Sequence, residues 1–319
     1  MANERVHRTV HETEIDAPAE AVYELVADTS RWPLYFPPNV HVEQLERTGD
    51  TERLRMWATA GGRVKSWTSR RVLDPAALRV DFRQEVSAAP VESMGGSWIA
   101  EDLGGGRSRL TLLHDFTVVG DRAEDVEWVE RVTDANSRAE LENLRTLAAR
   151  RHALPELVLD FEDSVHVDGP AEAVYAFLHH VEDWPERVAH VDRLDLTEDG
   201  TGVQVMAMDT RTADGSVHTT ESVRVCFPDD LRIVYKQTAT PALMSAHTGR
   251  WTVVPAEGGG VTATSQHSVV LRAEAVEKIL GEGADVARAR TYVREALGRN
   301  STATLNLAKQ FAESPVPAL

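Results

Sequence analysis

A chain of 319 residues, 42% of them hydrophobic, is long enough for two ordinary domains of about 150 residues, each burying its own core. No run of about 18 apolar residues is present, and the opening Met1-Ala-Asn-Glu-Arg5 lacks the apolar stretch of a secretory signal, so no membrane span and a cytoplasmic location are expected. A formal charge of −17 argues against nucleic acid as a partner, and the single cysteine, Cys226, leaves no disulfide framework or cysteine-rich zinc site.

The first strong element is a helix within residues 18 to 33, PAEAVYELVADTSRWP. Pro18 suits a first helical turn, where a missing N–H costs nothing, and Val22, Leu25 and Val26 fall at helical spacing. A short helix carrying Trp32-Pro33 follows. Period-two stretches then succeed one another at about 40 to 47, 52 to 58, 63 to 73, 78 to 86, 94 to 101 and 107 to 119, punctuated by Gly and Pro. The charge-rich run from Glu43 to Arg55 reads as a solvated strand face. A long helix from about Ala123 to Arg150 closes this unit, with apolar residues at 126, 129, 132, 141, 144 and 147.

After a linker, Arg151 to Glu156, the chain repeats itself. Residues 170 to 185 read PAEAVYAFLHHVEDWP, 152 positions after their counterparts, and Leu78 to Phe82, Trp98 and His114 recur as Leu231 to Tyr235, Trp251 and His267 at an offset of 153. Glycines 104 to 106 and 258 to 260 mark the same hairpin, and Asn136-Ser137 recurs as Asn300-Ser301 in a second closing helix from about Asp285 to Phe311. The period is far too long for a solenoid. The expected organisation is two tandem domains, 1–151 and 157–313, with Ser314 to Leu319 as a mobile tail. Each domain is an α+β helix-grip unit: a curved antiparallel sheet wrapped around a long C-terminal helix, with two short helices.

Strand alternation assigns the faces. Trp67, Ser69 and Arg71 share one face, and His114 lies with Leu110, Leu112 and Phe116 on the covered side of its strand. The second unit repeats this with Thr220, Ser222 and Arg224, and with His267 beside Ala263, Ser265 and Val269. Thr133, Asn136 and Ser137 interrupt the apolar stripe of the first closing helix. Singly, each of these residues reads as ordinary core. Together, an inward Arg, His, Trp and Asn in both units indicate a polar-tipped cavity, because an inward guanidinium is costly without a carboxylate or a ligand to meet it. No nucleophile elbow, zinc-protease helix, P-loop or dinucleotide-binding glycine motif occurs, and His7, His11 and His41 form no metal shell, so neither metal nor cofactor is expected.

The run Gly62 to Val72, the Trp32-Pro33 pair, Trp98 and the Asn136-Ser-Arg-Ala helix resemble the aromatase/cyclases of bacterial type II polyketide synthases, which have a START-like helix-grip fold; the likeness covers the chain twice, as in the di-domain subclass. The resemblance implies an enzyme that works without a cofactor. It receives a poly-β-ketone from an acyl carrier protein, among ketosynthase and ketoreductase components. It closes the first ring by an aldol step, C7 to C12 of a C9-reduced chain, and dehydrates it to an aromatic ring. On this likeness Arg71 holds a carbonyl oxygen, His114 moves protons, and Asp134 orients one of them. Trp32, Tyr35, Trp67, Ser69, Trp98 and Asn136 line the substrate site, and Trp184, Arg224, Trp251, His267 and Asn300 form a second pocket. Thr220 in place of Trp67, Ser268 in place of Asp115 and Gly298 opposite Asp134 set the second unit apart. An acidic carrier protein would need a basic mouth, for which Arg63, Lys65 and Arg70 are candidates. Two alternatives stay open: a non-catalytic carrier of a lipid, quinone or other planar apolar ligand, and an interaction module with a filled core and an internally paired Arg71.

Overall fold

In the computed structural model, residues 5–211, 215 and 217–314 are described; the expected tail, except Ser314, lies outside them. The chain forms two compact units that divide between Leu154 and Pro155, within the expected linker.

The first unit runs β1 (His7–Ile15), α1 (Ala19–Ala27), α2 (Trp32–Tyr35), then β2 (Asn39–Thr48), β3 (Thr51–Ala60), β4 (Arg63–Asp74), β5 (Arg79–Val86), β6 (Val91–Gly104) and β7 (Arg107–Val118), and ends in α3 (Ala123–Ala149). Its seven strands form one antiparallel sheet in the order β1-β7-β6-β5-β4-β3-β2, so the meander closes only where β1 joins β7. Helix α3 lies against β1 and β7, burying Val129, Thr133, Ser137, Leu141, Leu144 and Leu147. That stripe advances by three or four residues, one helical face, and Glu124 and Asp125 in its first turn complement the helix dipole.

The second unit follows α4 (Leu154–Leu157) with β8 (Val158–Val167), α5 (Ala171–His179), α6 (Trp184–Arg187), β9 (Val191–Glu198), β10 (Val203–Arg211), β11 (Val217–Phe227), β12 (Arg232–Ala239), β13 (Met244–Pro255) and β14 (Val261–Leu271). Its sheet has the same order, β8-β14-β13-β12-β11-β10-β9. The duplication extends to backbone detail. Leu78 and Leu231, at the same turn of each unit, both adopt a left-handed conformation, φ 50° and 47°, rare for a residue with a Cβ. Between β14 and α8 (Val286–Glu313) the second unit inserts α7 (Val276–Leu280), where the first has the short turn Val119–Asp121. The five residues of α7 are too few for a periodic signal in the sequence.

Candidate functional site

The repeated Trp and Arg first serve a short helix. A nine-residue helix leaves its last carbonyls without intrahelical partners. In the first unit the Trp32 indole N–H donates to the Val26 carbonyl at 3.1 Å, and Arg71 Nη2 donates to the carbonyls of Val26 and Ala27 at 3.2 and 3.1 Å. The second unit repeats the arrangement, with Trp184 donating to Phe177 at 3.1 Å and Arg224 to Leu178. A cation at a helix C-terminus is also favoured by the dipole. Each guanidinium lies over its indole, 4.8 Å from the ring centroid for Arg71 and 5.8 Å for Arg224.

The two arginines differ in what neutralises them. Arg71 is 1% exposed, and its Nε stands 3.1 Å from Glu52, a carboxylate only 2% exposed and directly across from it on β3. Burial pulls the Arg71 pKa down to about 10, with Glu52 acting in the opposite sense. Arg224 is 3% exposed, and the residue across from it on β10 is Gln204, whose amide oxygen accepts from Nη1 at 2.8 Å. It has no ion-pair partner among the described residues. Burial lowers its pKa too, yet a guanidinium keeps its charge near neutral pH.

Each unit holds a cavity between sheet and long helix. The first measures about 160 Å³ and is lined by Trp32, Trp67, Trp128, Met56, His114 and Asn136 among others. Arg71 does not border it, because Glu52 and the end of α1 hold the guanidinium aside. The expectation that Arg71 projects into the hollow is therefore corrected, as is the reading of Glu43 to Arg55 as a wholly solvated face: Glu52 has the inward parity of Leu54 and Met56. His114 meets the ring of Phe82 edge-on at 5.5 Å, and its Nδ1 has no hydrogen-bond partner. Burial pushes its pKa down to about 4, so the imidazole is neutral at pH 7.

The second cavity is larger, about 340 Å³, and Arg224 borders it together with Trp184, Trp251, Tyr235, His247 and His267. Here the polar atoms converge. Tyr235 Oη lies 2.9 Å from His267 Nδ1 and 3.4 Å from His247 Nε2, the two ring nitrogens are 3.0 Å apart, and His267 Nε2 is 3.1 Å from Ser265 Oγ. Burial pushes His267 down to about 4, holds His247 well below the usual imidazole range and raises Tyr235, so all three are neutral at pH 7. Phe161 stacks on His267 at 4.8 Å and is covered in turn by Arg294, which is paired with Asp163.

The other expected site residues fall as follows. Asn136 and Asn300 border the first and second cavities, and Asn136 donates to the Thr59 carbonyl at 3.1 Å. Trp98 is core, stacked on Phe36 at 5.7 Å; Ser69 is buried and donates to the Arg83 carbonyl; Tyr35 is buried in α2; none of these three borders the cavity. Asp134 is half exposed on α3 and meets neither Arg71 nor His114: its carboxylate lies 3.0 Å from His11 Nε2 and accepts from Arg138. Arg63 and Lys65 lie at one end of β4 with inward parity, whereas Arg70 is on the outer face, paired with Glu85, so the three form no common mouth. Trp128, Tyr235 and His247 were not anticipated. For the last two a signal existed: at the 153-residue offset they replace Phe82 and Met94.

Comparison with known proteins adds three findings. A family model described as polyketide cyclase / dehydrase and lipid transport matches residues 6–149 and again 158–310. The chain is 48% identical over 322 residues to the actinorhodin polyketide synthase bifunctional cyclase/dehydratase of Streptomyces coelicolor, covering 98% of this chain and 99% of the relative. It is 44% identical to the granaticin polyketide synthase bifunctional cyclase/dehydratase of Streptomyces violaceoruber, covering 97% and 95%. Among solved structures it is similar to the di-domain ARO/CYC BexL from the BE-7585A biosynthetic pathway, with TM-score 0.85, 50% identity and coverage of 97% of this chain and 100% of that one. It is also similar to the di-domain ARO/CYC StfQ from the steffimycin pathway, with TM-score 0.81, 35% identity and coverage of 96% and 98%.

Proposed function

The chain belongs to the polyketide cyclase/dehydrase and lipid transport family as an enzyme, and from that premise we propose that it is a bifunctional cyclase/dehydratase of a type II polyketide synthase whose enolate chemistry takes place in the second cavity. Its substrate on this reading is a poly-β-ketone tethered to an acyl carrier protein and already reduced at C9, in which it joins C7 to C12 and dehydrates the new ring.

The chemistry asks for little beyond shape and charge. A methylene between two carbonyls loses a proton, the carbanion attacks a ketone carbon, and the resulting alkoxide takes a proton. Loss of the neighbouring C–H proton and of the hydroxyl as water then forms the double bond. Every step moves protons and leaves the oxidation level unchanged. The protein must bring two carbons of a flexible chain together and stabilise an oxyanion. Confinement supplies up to about 7–11 kcal/mol in ideal cases, and one well-placed donor in a dry site about 3–4 kcal/mol.

One observation carries the choice of cavity. Arg224 borders the larger hollow with a neutral amide as its cross-strand partner, whereas Arg71 is neutralised by Glu52 and held away from the smaller one. A buried guanidinium without a counter-ion is costly unless an anion arrives to meet it. An enolate oxygen is such an anion. The test is to incubate Arg224→Met and the wild type with a minimal synthase and ketoreductase. The variant is expected to release misfolded shunt products in place of the aromatised ring; a normal product profile from folded Arg224→Met would refute the assignment.

A further inference from the structure

We propose that the Tyr235 hydroxyl is the catalytic proton carrier of the second cavity, positioned by His267 and His247, and that it both removes the α-proton and protonates the departing hydroxyl during dehydration. This rests on the reading that ring chemistry occurs in that cavity.

The geometry is that of a relay. Ser265 Oγ is hydrogen-bonded to the His267 ring, whose Nδ1 forms a triangle with Tyr235 Oη and His247 Nε2, so a path through the hydroxyl joins all four residues. It can be filled with protons in either direction: His247 donates to Tyr235, Tyr235 to His267 and His267 to Ser265, or each bond is reversed. In both arrangements the hydroxyl donates once and accepts once, so moving its proton strands no charge far from a partner. Tyr235 is the outermost of the three, half-buried on the cavity wall, while His247 and His267 are 2% and 4% exposed behind it. His247 Nδ1 has no hydrogen-bond partner, a cost that packing alone does not explain.

A glycine across the sheet admits the ring at this position in both units. Gly249 stands across from Tyr235 in the sheet, and a Cβ there would lie 2.4 Å from both the Gln266 carbonyl oxygen and Tyr235 Oη. The first unit keeps the glycine, Gly96, beside the ring of Phe82, but has Phe82 and Met94 where the second has Tyr235 and His247. The phenol and His247 therefore occur only in the unit whose arginine lacks a carboxylate partner.

The step balances without a co-reactant. Tyr235 oxygen takes the α-proton while passing its own proton to His267 Nδ1, and the C–H electron pair forms the enolate beside Arg224. The C–O bond then breaks with its pair on oxygen, which takes the proton now on Tyr235 and leaves as water; the enolate pair closes the C=C bond. His267 returns its proton to Tyr235.

The probe is a synthetic monocyclic β-hydroxy ketone supplied as an N-acetylcysteamine thioester, with water loss followed by mass and by the new aromatic absorbance. The wild type is expected to dehydrate it. Tyr235→Phe, which restores the residue of the first unit, should lower kcat by about 10²–10⁴ with KM and Tm little changed; Phe82→Tyr should do nothing. His247→Met should displace the pH profile of kcat, which a packing role would not do. Full turnover by Tyr235→Phe, or a loss confined to KM and Tm, overturns the proposal while leaving the cavity assignment standing. Failure of the wild type to dehydrate the probe overturns both. Should Tyr235→Phe not fold, 3,5-difluorotyrosine at position 235 keeps the shape and makes the phenol more acidic beside Arg224, His247 and His267. An unshifted pH profile in that protein refutes the role.

Discussion

Replacing Arg71 by methionine tests the structural assignment of the buried ion pair. The substitution leaves the Glu52 carboxylate, 2% exposed, without its partner at 3.1 Å; the remaining ion-pair contact among the described residues is Arg47 Nη1 at 3.9 Å, on a half-exposed side chain. At the end of α1 the Ala27 carbonyl also loses the Arg71 donor, while that of Val26 keeps Trp32. Removing one member of a buried pair costs about 3–5 kcal/mol. In a unit of about 150 residues, where 1 kcal/mol moves Tm by about 2–4 °C, the first unit should melt about 6–20 °C lower. Arg224→Met strands only the neutral Gln204 amide and a carbonyl, a loss of about 1–3 kcal/mol. The double variant Glu52→Leu/Arg71→Met should recover most of the first unit's loss, since a buried pair exchanged for packed apolar groups is often neutral or stabilising. Scanning calorimetry of the three variants decides. Equal losses from Arg71→Met and Arg224→Met, or a double variant no better than Arg71→Met, would refute the reasoning.

Stability should fall on mild acidification. His114 and His267 have folded pKa values of about 4 against about 6.5 in the unfolded chain, so between those values the unfolded state binds protons that the folded state does not, and stability rises with pH through that window. His267 alone should cost about 2 kcal/mol between pH 7 and pH 5, above the range where carboxylates titrate, and His247, His190 and His179 act in the same direction. Urea unfolding at the two pH values measures it, and a flat profile would contradict buried neutral imidazoles. Gly96→Ala should destabilise the first unit by more than the roughly 1–3 kcal/mol of ordinary overpacking, because the new Cβ would stand 1.8 Å from the Leu113 carbonyl oxygen, a backbone atom that cannot turn away. A variant with unchanged urea midpoint would show that the strands separate freely there.

Much of the fold could be read directly. The 152-residue echo, the Trp-Pro pair, the period-two runs and the apolar stripe of the closing helix each follow from a local rule, and strand parity placed Arg71, His114, Arg224 and His267 on inward faces. What stayed hidden was pairing across strands. Glu52 sits among Glu43, Glu46, Arg47, Arg53 and Arg55, and nothing local distinguishes the one carboxylate whose parity turns it inward to meet Arg71 from neighbours that face water. For Asp134 the difference runs the other way: one turn from Ser137 it is near the cavity in sequence, but rotation about the helix axis carries it away from the cavity to His11 on β1.

The duplication works as an internal control on which residues hold the fold and which serve the chemistry. Positions kept in both units do the same mechanical work twice: Trp32 and Trp184, like Arg71 and Arg224, satisfy the carbonyls at the end of a short helix, and Gly96 and Gly249 admit a ring to the opposite strand. Identity across the repeat therefore marks an architectural role, which accounts for Arg71 in full; Arg224 keeps that role and is set apart by its neutral partner Gln204 and by the cavity it borders. The informative positions are those where the units part. Glu52 against Gln204, Phe82 against Tyr235 and Met94 against His247 all change the polar character of one interior: the first removes the counter-charge of the buried arginine, and the other two put polar groups where the first unit has apolar ones. All three changes bear on the same hollow, through Arg224, Tyr235 and His247. The proposed ligand, bringing an oxyanion to Arg224 and a proton to Tyr235, would give these changes one common reason.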